Sequence, residues 1–424
     1  MKILWITNIL FPEANQLLTG SGGGLKSSGG WMLGAANAIL KHKSVSLTVA
    51  SVSCYVKKLT KVVGKRITYY VLPIGEGNLD YNPDYYPLWK QIRDEVVPDV
   101  VHIHGTEFSH GYAYMKECGC NNVVISIQGL TSACYYYYLH GMGRSDIYRN
   151  LTLKDFLRGG VIRERKSFKN RSKYEIEMLQ MAKYVIGRTS WDKARVWAIN
   201  PNAKYYCCNE TLRAEFYDGA EWSYGKCNKH SIFLSQAGYP IKGLHQVLKA
   251  MPLILRLYPE AQVRIAGADI TRSTSIVEKL KLSGYGKYIK SLIKNYALDG
   301  KITFTGELNA EQMKHEYLRA NVFVCPSSIE NSPNSLGEAQ ILGTPCIASY
   351  VGGVMDMMKG NEDNLYRFEE IEMLAEKICR VFADKYNQID MRATAARRHS
   401  PELNSEQLFS IYEKVINSNS SLVF

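Results

Sequence analysis

Two carboxylates, Glu330 and Glu338, stand on either side of a turn that opens a predicted helix. The apolar run 322–325 before them is typical of a buried strand, and Pro333 suits the first turn of a helix. The first backbone N–H groups of such a helix lack intrahelical acceptors and can bind a phosphate. The groups in question belong to Asn334, Ser335 and Leu336. A phosphate between two carboxylates that accept hydroxyl hydrogen bonds is what a nucleotide-sugar requires.

This motif resembles the E-x7-E motif of family 4 glycosyltransferases, which are retaining enzymes of the GT-B type. In that family a Gly-Gly loop follows the next strand, at the place of Gly352-Gly353 here. The resemblance implies that Glu330 is catalytic and holds hydroxyls of the donor sugar, while Glu338 holds the ribose hydroxyls. The alternative is a solvated pair of glutamates flanking an ordinary helix start.

Lys242-Gly243 follows a predicted strand and resembles the family's Lys-Gly motif. The resemblance implies that Lys242 pairs with the donor diphosphate and is catalytic, because a fixed ammonium stabilises charge on the leaving group. Many relatives carry an arginine six residues earlier, where this chain has Gln236. A solvated lysine at a helix start is the alternative. The resemblance also implies that backbone groups near Leu308 hold the base.

Glycines follow the first predicted strand. Gly30 resembles a family glycine that shapes the sugar pocket, and flexible loop glycines are the alternative. The earlier run of glycines fits no G-x-G-x-x-G fingerprint, so a dinucleotide cofactor is not expected. We expect the Gly-rich loop 12–28 to act as a mobile lid on the acceptor side.

Polar residues end two further strands of the first half. His104 and Glu107 lie at the carboxyl end of one and are assigned to the acceptor side. His102 and His104 also fit part of a metal site, but no third ligand is in view. At the end of the next strand many relatives place a histidine, and Gln128 stands there. Gln128 can hydrogen-bond a sugar hydroxyl but cannot act as a base, so the leaving phosphate would take the acceptor's proton.

The length of the chain and the alternation of predicted strands with predicted helices indicate the fold class. A chain of 424 residues fits two domains, and strands alternate with helices from end to end. The predicted strands are 2–7, 47–52, 67–73, 100–104, 123–128, 184–188, 204–207, 232–236, 262–266, 301–305, 322–325 and 346–349. We expect an α/β protein of GT-B type, with two Rossmann-like parallel-sheet domains facing a central cleft. Residues 1–215 would bind the acceptor and 216–403 the nucleotide-sugar. By resemblance, the helix 404–417 would cross back to the first domain.

Composition limits the setting and the partners. The chain has a net charge of +12, ten cysteines without a CxxC pair and no Asp-x-Asp. Its start lacks the pattern of a signal peptide, and no apolar run reaches the ~18 residues needed to cross a bilayer. We therefore expect a cytoplasmic, metal-independent enzyme without cofactor, peripheral on the inner face of the plasma membrane.

The segment 135–173 opens with four tyrosines and then mixes many basic residues with apolar ones. This pattern favours an anionic membrane surface or a polyprenyl phosphate as partner. A solvated basic face and a nucleic-acid site are the alternatives, and we do not expect nucleic acid.

The combined patterns predict a retaining glycosyltransferase of hexosyltransferase type. Its donor would be a UDP- or GDP-linked sugar, and its acceptor a saccharide or polyprenyl-linked saccharide in bacterial polysaccharide assembly. Gln128 and Gln236 depart from the family pattern and leave two alternatives open. One is a nucleotide-sugar epimerase of the same fold, and the other is a non-catalytic nucleotide-sugar binding protein.

Overall fold

The computed structural model describes residues 1–20, 30–74, 83–383 and 390–420. The strands in these ranges are β1 Lys2–Ile6, β2 Ser46–Ser53, β3 Thr60–Val63, β4 Ile67–Pro73, β5 Val100–His104, β6 Val123–Ser126, β7 Tyr184–Gly187, β8 Lys204–Cys207, β9 Ser231–Leu234, β10 Gln262–Ile265, β11 Ile302–Phe304, β12 Val322–Cys325, β13 Cys346–Ser349 and β14 Leu365–Tyr366.

The helices in the same ranges are α1 Pro12–Thr19, α2 Gly30–Ile39, α3 Tyr86–Val96, α4 Ser109–Cys118, α5 Thr131–Tyr137, α6 Arg144–Arg149, α7 Leu153–Arg158, α8 Gly160–Met181, α9 Ser190–Ile199, α10 Leu244–Leu255, α11 Ile276–Lys281, α12 Gly284–Asn295, α13 Ala310–Arg319, α14 Asn334–Ile341, α15 Val354–Met357, α16 Ile371–Phe382, α17 Arg392–Arg398 and α18 Pro401–Ser420. None of these helices is long and apolar enough to cross a membrane.

The chain forms two compact units. The first contains Met1–Ser132, Lys169–Arg213 and Arg397–Phe424, and the second contains Ala133–Phe168 and Ala214–Ala396. The division therefore differs from the predicted one at 1–215 and 216–403, because the segment 133–168 packs within the second unit. Within this segment, the loop between α5 and α6 contacts α10. Lys249 Nζ of α10 donates to the Gly141 carbonyl of that loop over 2.7 Å.

The first unit is built on an eight-stranded sheet in the order β3-β4-β2-β1-β5-β6-β7-β8. All neighbours pair in parallel except β3 and β4, which form an antiparallel edge. The central strands β1 and β5 are almost fully buried, as expected of parallel strands covered on both faces. Strand order reverses between β1 and β5, so loops leaving these two strands diverge and open a crevice at their carboxyl ends.

The second unit repeats this plan with six strands in the order β11-β10-β9-β12-β13-β14, all parallel. Relative to its first strand this is a Rossmann-type order with the reversal between β9 and β12. The predicted fold class of two parallel-sheet α/β domains is confirmed. The loops that follow β9 and β12 carry Lys242 and Glu330, so the topology alone brings these two residues to one crevice.

The C-terminal helix α18 belongs to the first unit, where it packs against α2 and β5. Tyr412, fully buried, is its anchor. Its hydroxyl accepts a hydrogen bond from Trp5 Nε1 over 2.9 Å and lies 2.6 Å from His102 Nδ1. One buried hydroxyl thus ties the last helix to two central strands of the sheet.

One predicted loop is partly helical. The stretch expected to be a mobile lid, 12–28, begins with the helix α1, which ends at Gly20 in a left-handed conformation (φ 68°). Pro12 sits in the first turn of this helix, where its missing N–H costs nothing. The prediction of a continuous loop is therefore wrong for 12–19, and residues 21–29 lie outside the described part of the chain.

Candidate functional site

The two residues with the strongest sequence signals meet in the second unit. Lys242 Nζ donates to Glu330 Oε1 over 2.6 Å, although the residues are 88 positions apart. Ser327 Oγ donates to the same carboxylate oxygen over 2.7 Å. The lysine side chain is 20% exposed and the glutamate 14%, so the pair lies mostly out of solvent but within reach of a ligand.

Two glycines set the geometry of this pair. Gly243 has a φ of 71°, and a Cβ there would collide with the Pro326 carbonyl of the loop after β12. Gly352 has a φ of 52°, and a Cβ there would collide with the Glu330 carbonyl. That carbonyl also accepts a hydrogen bond from Gly353 N over 3.0 Å. The Lys-Gly and Gly-Gly patterns therefore have a packing role, since they let three loops approach at backbone distance.

The electrostatics of the pair favour full charge on the lysine. Burial alone would lower the pKa of the Lys242 ammonium, but the Glu330 carboxylate and the nearby Tyr239 raise that pKa above its ordinary value. The ammonium is thus a cation at physiological pH and is paired with the Glu330 carboxylate.

The N-terminus of α14 lies on the chain just after Glu330 and offers fewer amides than predicted. Leu336 N donates to the Pro333 carbonyl over 3.0 Å, so its amide is not available to a phosphate, and the prediction for Leu336 is wrong. Tight i→i+3 bonding in the first turn is the cause. Within the described residues the Ser335 amide has no backbone acceptor, and Asn334 precedes it as the first residue of the helix.

Two other predicted donor residues lie in the same unit. Glu338 is buried in α14 and accepts from the Tyr317 hydroxyl over 3.3 Å. Leu308 follows β11, and its partly buried side chain packs against the apolar core of the second unit. Just before it, Gly306 and Gly267 exchange two backbone hydrogen bonds of 2.8 and 3.1 Å. The structure thus gives Glu338 a protein partner and fixes the backbone before Leu308.

The first unit contains a pocket of about 50 Å³. It collects His104, Gln128 and Trp31 with residues of the C-terminal helix. His104 Nε2 is buried without a hydrogen-bond partner in the described chain. Burial lowers the pKa of His104 to about 3, so the imidazole is neutral at physiological pH. A neutral imidazole with an open nitrogen can donate to or accept from a hydroxyl.

The two neighbouring histidines do not form a metal site. Their rings stack with centroids 3.7 Å apart, and His102 Nε2 lies 2.5 Å from Ser126 Oγ while its Nδ1 faces Tyr412. Both nitrogens of His102 are thus occupied. No group of three or more metal-ligating side chains occurs in the described ranges.

Two buried carboxylates hold the loop that follows Gln128. Glu107 Oε1 accepts from Gly129 N over 2.8 Å, and Glu175 accepts from Thr131 N over 2.6 Å and Ser132 N over 3.0 Å. Glu107 Oε2 is shielded from solvent and has no partner among the described residues. Burial raises the pKa of Glu107 to about 7, with hydrogen bonds and Arg171 opposing and Glu175 adding to the shift.

One ion pair of this pocket has no counterpart in the sequence predictions. Arg188 Nη1 contacts Glu210 Oε2 at 2.8 Å, and both side chains are buried. Arg188 also donates to the Gln128 carbonyl over 2.9 Å. Arg188 follows β7, which ends at Gly187, and Glu210 lies in 208–213, which has neither helix nor strand. No pattern in the sequence indicates a contact between residues of two separate loops.

The glycine predicted to shape the sugar pocket, Gly30, begins α2. The glycines before it lie outside the described residues. Its helix contributes Trp31 and Ala35 to the pocket of the first unit.

Residues 224–399 match the family model described as glycosyl transferases group 1. An uncharacterized glycosyltransferase of Methanocaldococcus jannaschii is 28% identical over 157 residues, which cover 37% of this chain and 36% of that protein. A GDP-mannose-dependent monoacylated alpha-(1-6)-phosphatidylinositol monomannoside mannosyltransferase of Corynebacterium glutamicum is 26% identical over 188 residues, 41% of this chain and 44% of its own. The matches thus span less than half the length of these relatives.

Solved structures resemble the whole chain. Sucrose-phosphate synthase from Thermosynechococcus elongatus superimposes with a TM-score of 0.70 at 17% identity, covering 98% of this chain and 99% of its own. A trehalose-6-phosphate structure from E. coli bound with UDP-2-fluoro glucose has a TM-score of 0.62 at 11% identity, covering 97% and 99%. At such identities the likeness shows the fold alone, and it confirms the predicted GT-B type.

Gly243→Ala should destabilise the second unit. An alanine would have to adopt a left-handed φ and place its Cβ on the Pro326 carbonyl, which should lower the free energy of unfolding by ~2 kcal/mol or more. Urea titration measures this. Gly360→Ala, with φ 88° but open space, should cost only ~1 kcal/mol. Gly238→Ala, also in open space, should be nearly neutral. A Gly243→Ala variant no worse than Gly360→Ala would contradict the close approach.

Glu107→Gln should change how stability depends on pH. The folded pKa of about 7 lies above the ordinary glutamate pKa of 4.5, so the folded state binds more protons between these values and wild-type stability falls as pH rises. Relative to the variant, the wild type should lose up to ~3 kcal/mol between about pH 5 and 8. Denaturant titrations of both proteins across this range give the difference, in which the histidine contributions cancel. Glu413→Gln, at an exposed position of the same unit, should follow the wild type. A flat difference would refute the buried, protonated carboxyl.

Proposed function

Because residues 224–399 match the family model of the group 1 glycosyl transferases, we propose that this protein transfers a hexosyl group from a nucleotide-diphosphate-sugar to a saccharide or polyprenyl-linked saccharide. The transfer retains the configuration of the anomeric carbon. The single observation that carries the proposal is the Lys242–Glu330 pair at the crevice between β9 and β12. It provides a cation for a diphosphate and a carboxylate for sugar hydroxyls at one point.

The chemistry follows from these groups. The bond between the anomeric carbon and the diphosphate oxygen breaks, and negative charge grows on that oxygen. The Lys242 ammonium and the first amides of α14, at Asn334 and Ser335, stabilise this charge. The acceptor oxygen forms the new bond on the same face of the sugar. Its proton passes to the leaving phosphate, since Gln128 cannot take it.

Donor binding is proposed to divide between the two carboxylates and the base loop. Once the diphosphate draws Lys242 away, Glu330 turns to hydroxyls of the sugar. Glu338, held by Tyr317, accepts from the ribose hydroxyls, and the backbone near Leu308 receives the base. The nucleotide of the donor sugar is proposed to be UDP or GDP. The E. coli structure contains a UDP-sugar, and the Corynebacterium relative is named as GDP-mannose-dependent.

The acceptor is proposed to lie on the first unit. His104, with its open nitrogen, and the side chain of Gln128 supply hydrogen bonds to hydroxyls without bringing charge. Glu107, whose pKa burial raises to about 7, adds a carboxyl that is only partly ionised. Gly30 would shape the sugar's side of this region. Neutral groups suit a saccharide, and a polyprenyl carrier would add an apolar tail. A role in bacterial polysaccharide assembly at the inner face of the plasma membrane follows as the setting.

Glu330→Gln should reduce transfer on the order of 10²-fold or more, because it removes a charged, oriented contact to the reacting sugar. The amide keeps the size of the side chain, so the fold should persist. Product formation from labelled UDP- and GDP-sugars measures the effect. Glu372→Gln, an exposed carboxylate of the same unit, serves as the matched control. Wild-type turnover by Glu330→Gln would end this assignment. Epimerised donor in the absence of acceptor would favour the epimerase instead.

Transfer should survive EDTA. The proposed phosphate site consists of an ammonium and helix amides, which replace a bridging metal. Initial rates with and without chelator, at constant ionic strength, measure this. Complete loss on chelation that Mg²⁺ or Mn²⁺ restores would contradict the metal-free proposal.

A further inference from the structure

Helix α7 presents its apolar side to solvent. Asp155 is buried and accepts hydrogen bonds from Thr152 N and Thr152 Oγ1 over 3.0 and 2.9 Å. The opposite side carries Leu153, Phe156 and Leu157, of which Phe156 is 87% and Leu157 72% exposed. The usual arrangement is thus inverted, with the acid inside and the large apolar groups outside. Exposed apolar groups that cluster in this way mark interaction sites.

A second short helix extends this surface. Helix α11 packs against α7 and exposes Ile276, Val277 and Leu280, with Ile276 77% exposed. Gly284, the first residue of α12 and three residues after the end of α11, approaches α7 so closely that a Cβ there would collide with the Asp155 carboxylate. We call these six side chains the apolar face. They come from sequence positions more than a hundred residues apart but lie within one compact unit.

The charges around the apolar face are mainly positive. Arg158, Lys279 and Lys281 are exposed, and Lys154 is half-buried on the same two helices. Of the two acids in these helices, Asp155 is buried and Glu278 contacts Arg272 Nε at 2.5 Å. The face therefore combines exposed aliphatic and aromatic groups with exposed cations.

We propose that the apolar face of α7 and α11 inserts into the headgroup region of an anionic lipid bilayer. This proposal deepens the proposed function and rests on it, because the proposed polyprenyl-linked acceptor is what brings the enzyme to a membrane. Charge complementarity identifies the occupant, because lysines and arginines at the rim attract anionic headgroups while apolar side chains enter the acyl boundary. A second copy of the chain would bring the same cations face to face.

The test is co-sedimentation of the full chain with vesicles. One set contains phosphatidylglycerol and phosphatidylcholine at 3:7, and the other phosphatidylcholine alone. The wild type should bind the anionic set and lose affinity as salt rises. The variant Phe156→Ser/Leu157→Ser/Ile276→Ser/Val277→Ser keeps every charge and should bind at least ~10-fold more weakly, since it removes most of the inserted apolar area. Leu257→Ser, at an exposed apolar site elsewhere in the same unit, should bind as the wild type does.

Equal binding by the wild type and the fourfold variant would overturn the inference, and so would a wild type that ignores anionic vesicles at low salt. Light scattering without lipid checks the rival occupant, since a dimer lost only in the fourfold variant would assign the face to self-association. Transfer to a short soluble acceptor should stay unchanged in this variant. If the fourfold variant no longer binds vesicles but transfers normally, the result supports the apolar face and leaves the proposed function untouched. If the wild type binds vesicles but shows no transfer, the result counts against the proposed function and not against the apolar face.

Discussion

The ion pair between Lys242 and Glu330 depends on the order of strands in the second sheet and explains much of the local sequence. Parallel strands place their carboxyl ends together, and the reversal between β9 and β12 directs the two following loops into one crevice. Both loops must then pass at backbone distance, which requires glycine at Gly243 and Gly352. The side chains of opposite charge on these loops, Lys242 and Glu330, form an ion pair.

The two units use the same topology for different electrostatics. In the second unit the crevice holds a charged lysine and a carboxylate within reach of a ligand, which suits a diphosphate. In the first unit burial keeps His104 neutral at physiological pH and raises the pKa of Glu107 to about 7, so that this carboxyl is only partly ionised there. The pocket's buried ion pair, Arg188 with Glu210, is internally neutralised. Neutral hydrogen-bonding groups suit hydroxyls. The two crevices differ in charge although each forms where strand order reverses in its sheet. The difference therefore comes from how deeply the residues of each crevice are buried and not from the fold.

Periodicity and turn residues predicted most of the sheet strands, because buried parallel strands are continuous apolar runs. Strands 67–73, 100–104, 204–207, 322–325 and 346–349 are confirmed at their predicted bounds. Strand β3 was missed because it is a four-residue edge strand with alternating exposure, and β14 because it has only two residues. Both are set by a neighbouring strand and not by their own sequence.

The site was predicted residue by residue but not in its contacts. The motifs predicted that Lys242 and Glu330 bind a ligand, which stays a prediction, yet nothing local indicated that they contact each other. The same limit explains Glu210, whose partner Arg188 lies in the loop after β7, and Leu336, whose amide donates within a tight first turn. The segment 135–173 was interpreted from composition alone, which says how basic it is but not that 133–168 packs within the second unit.

The most direct measurement is calorimetric affinity for UDP and GDP, without sugar, of the wild type, Glu330→Gln and Lys242→Met. If Lys242 is the diphosphate cation and Glu330 its resting counter-ion, Glu330→Gln should bind the preferred nucleotide about 5–10-fold more tightly, because loss of a competing charge contributes ~1 kcal/mol. Lys242→Met should bind it at least ~10-fold more weakly. The account is contradicted if Glu330→Gln weakens nucleotide binding as Lys242→Met does, or if Lys242→Met leaves it unchanged.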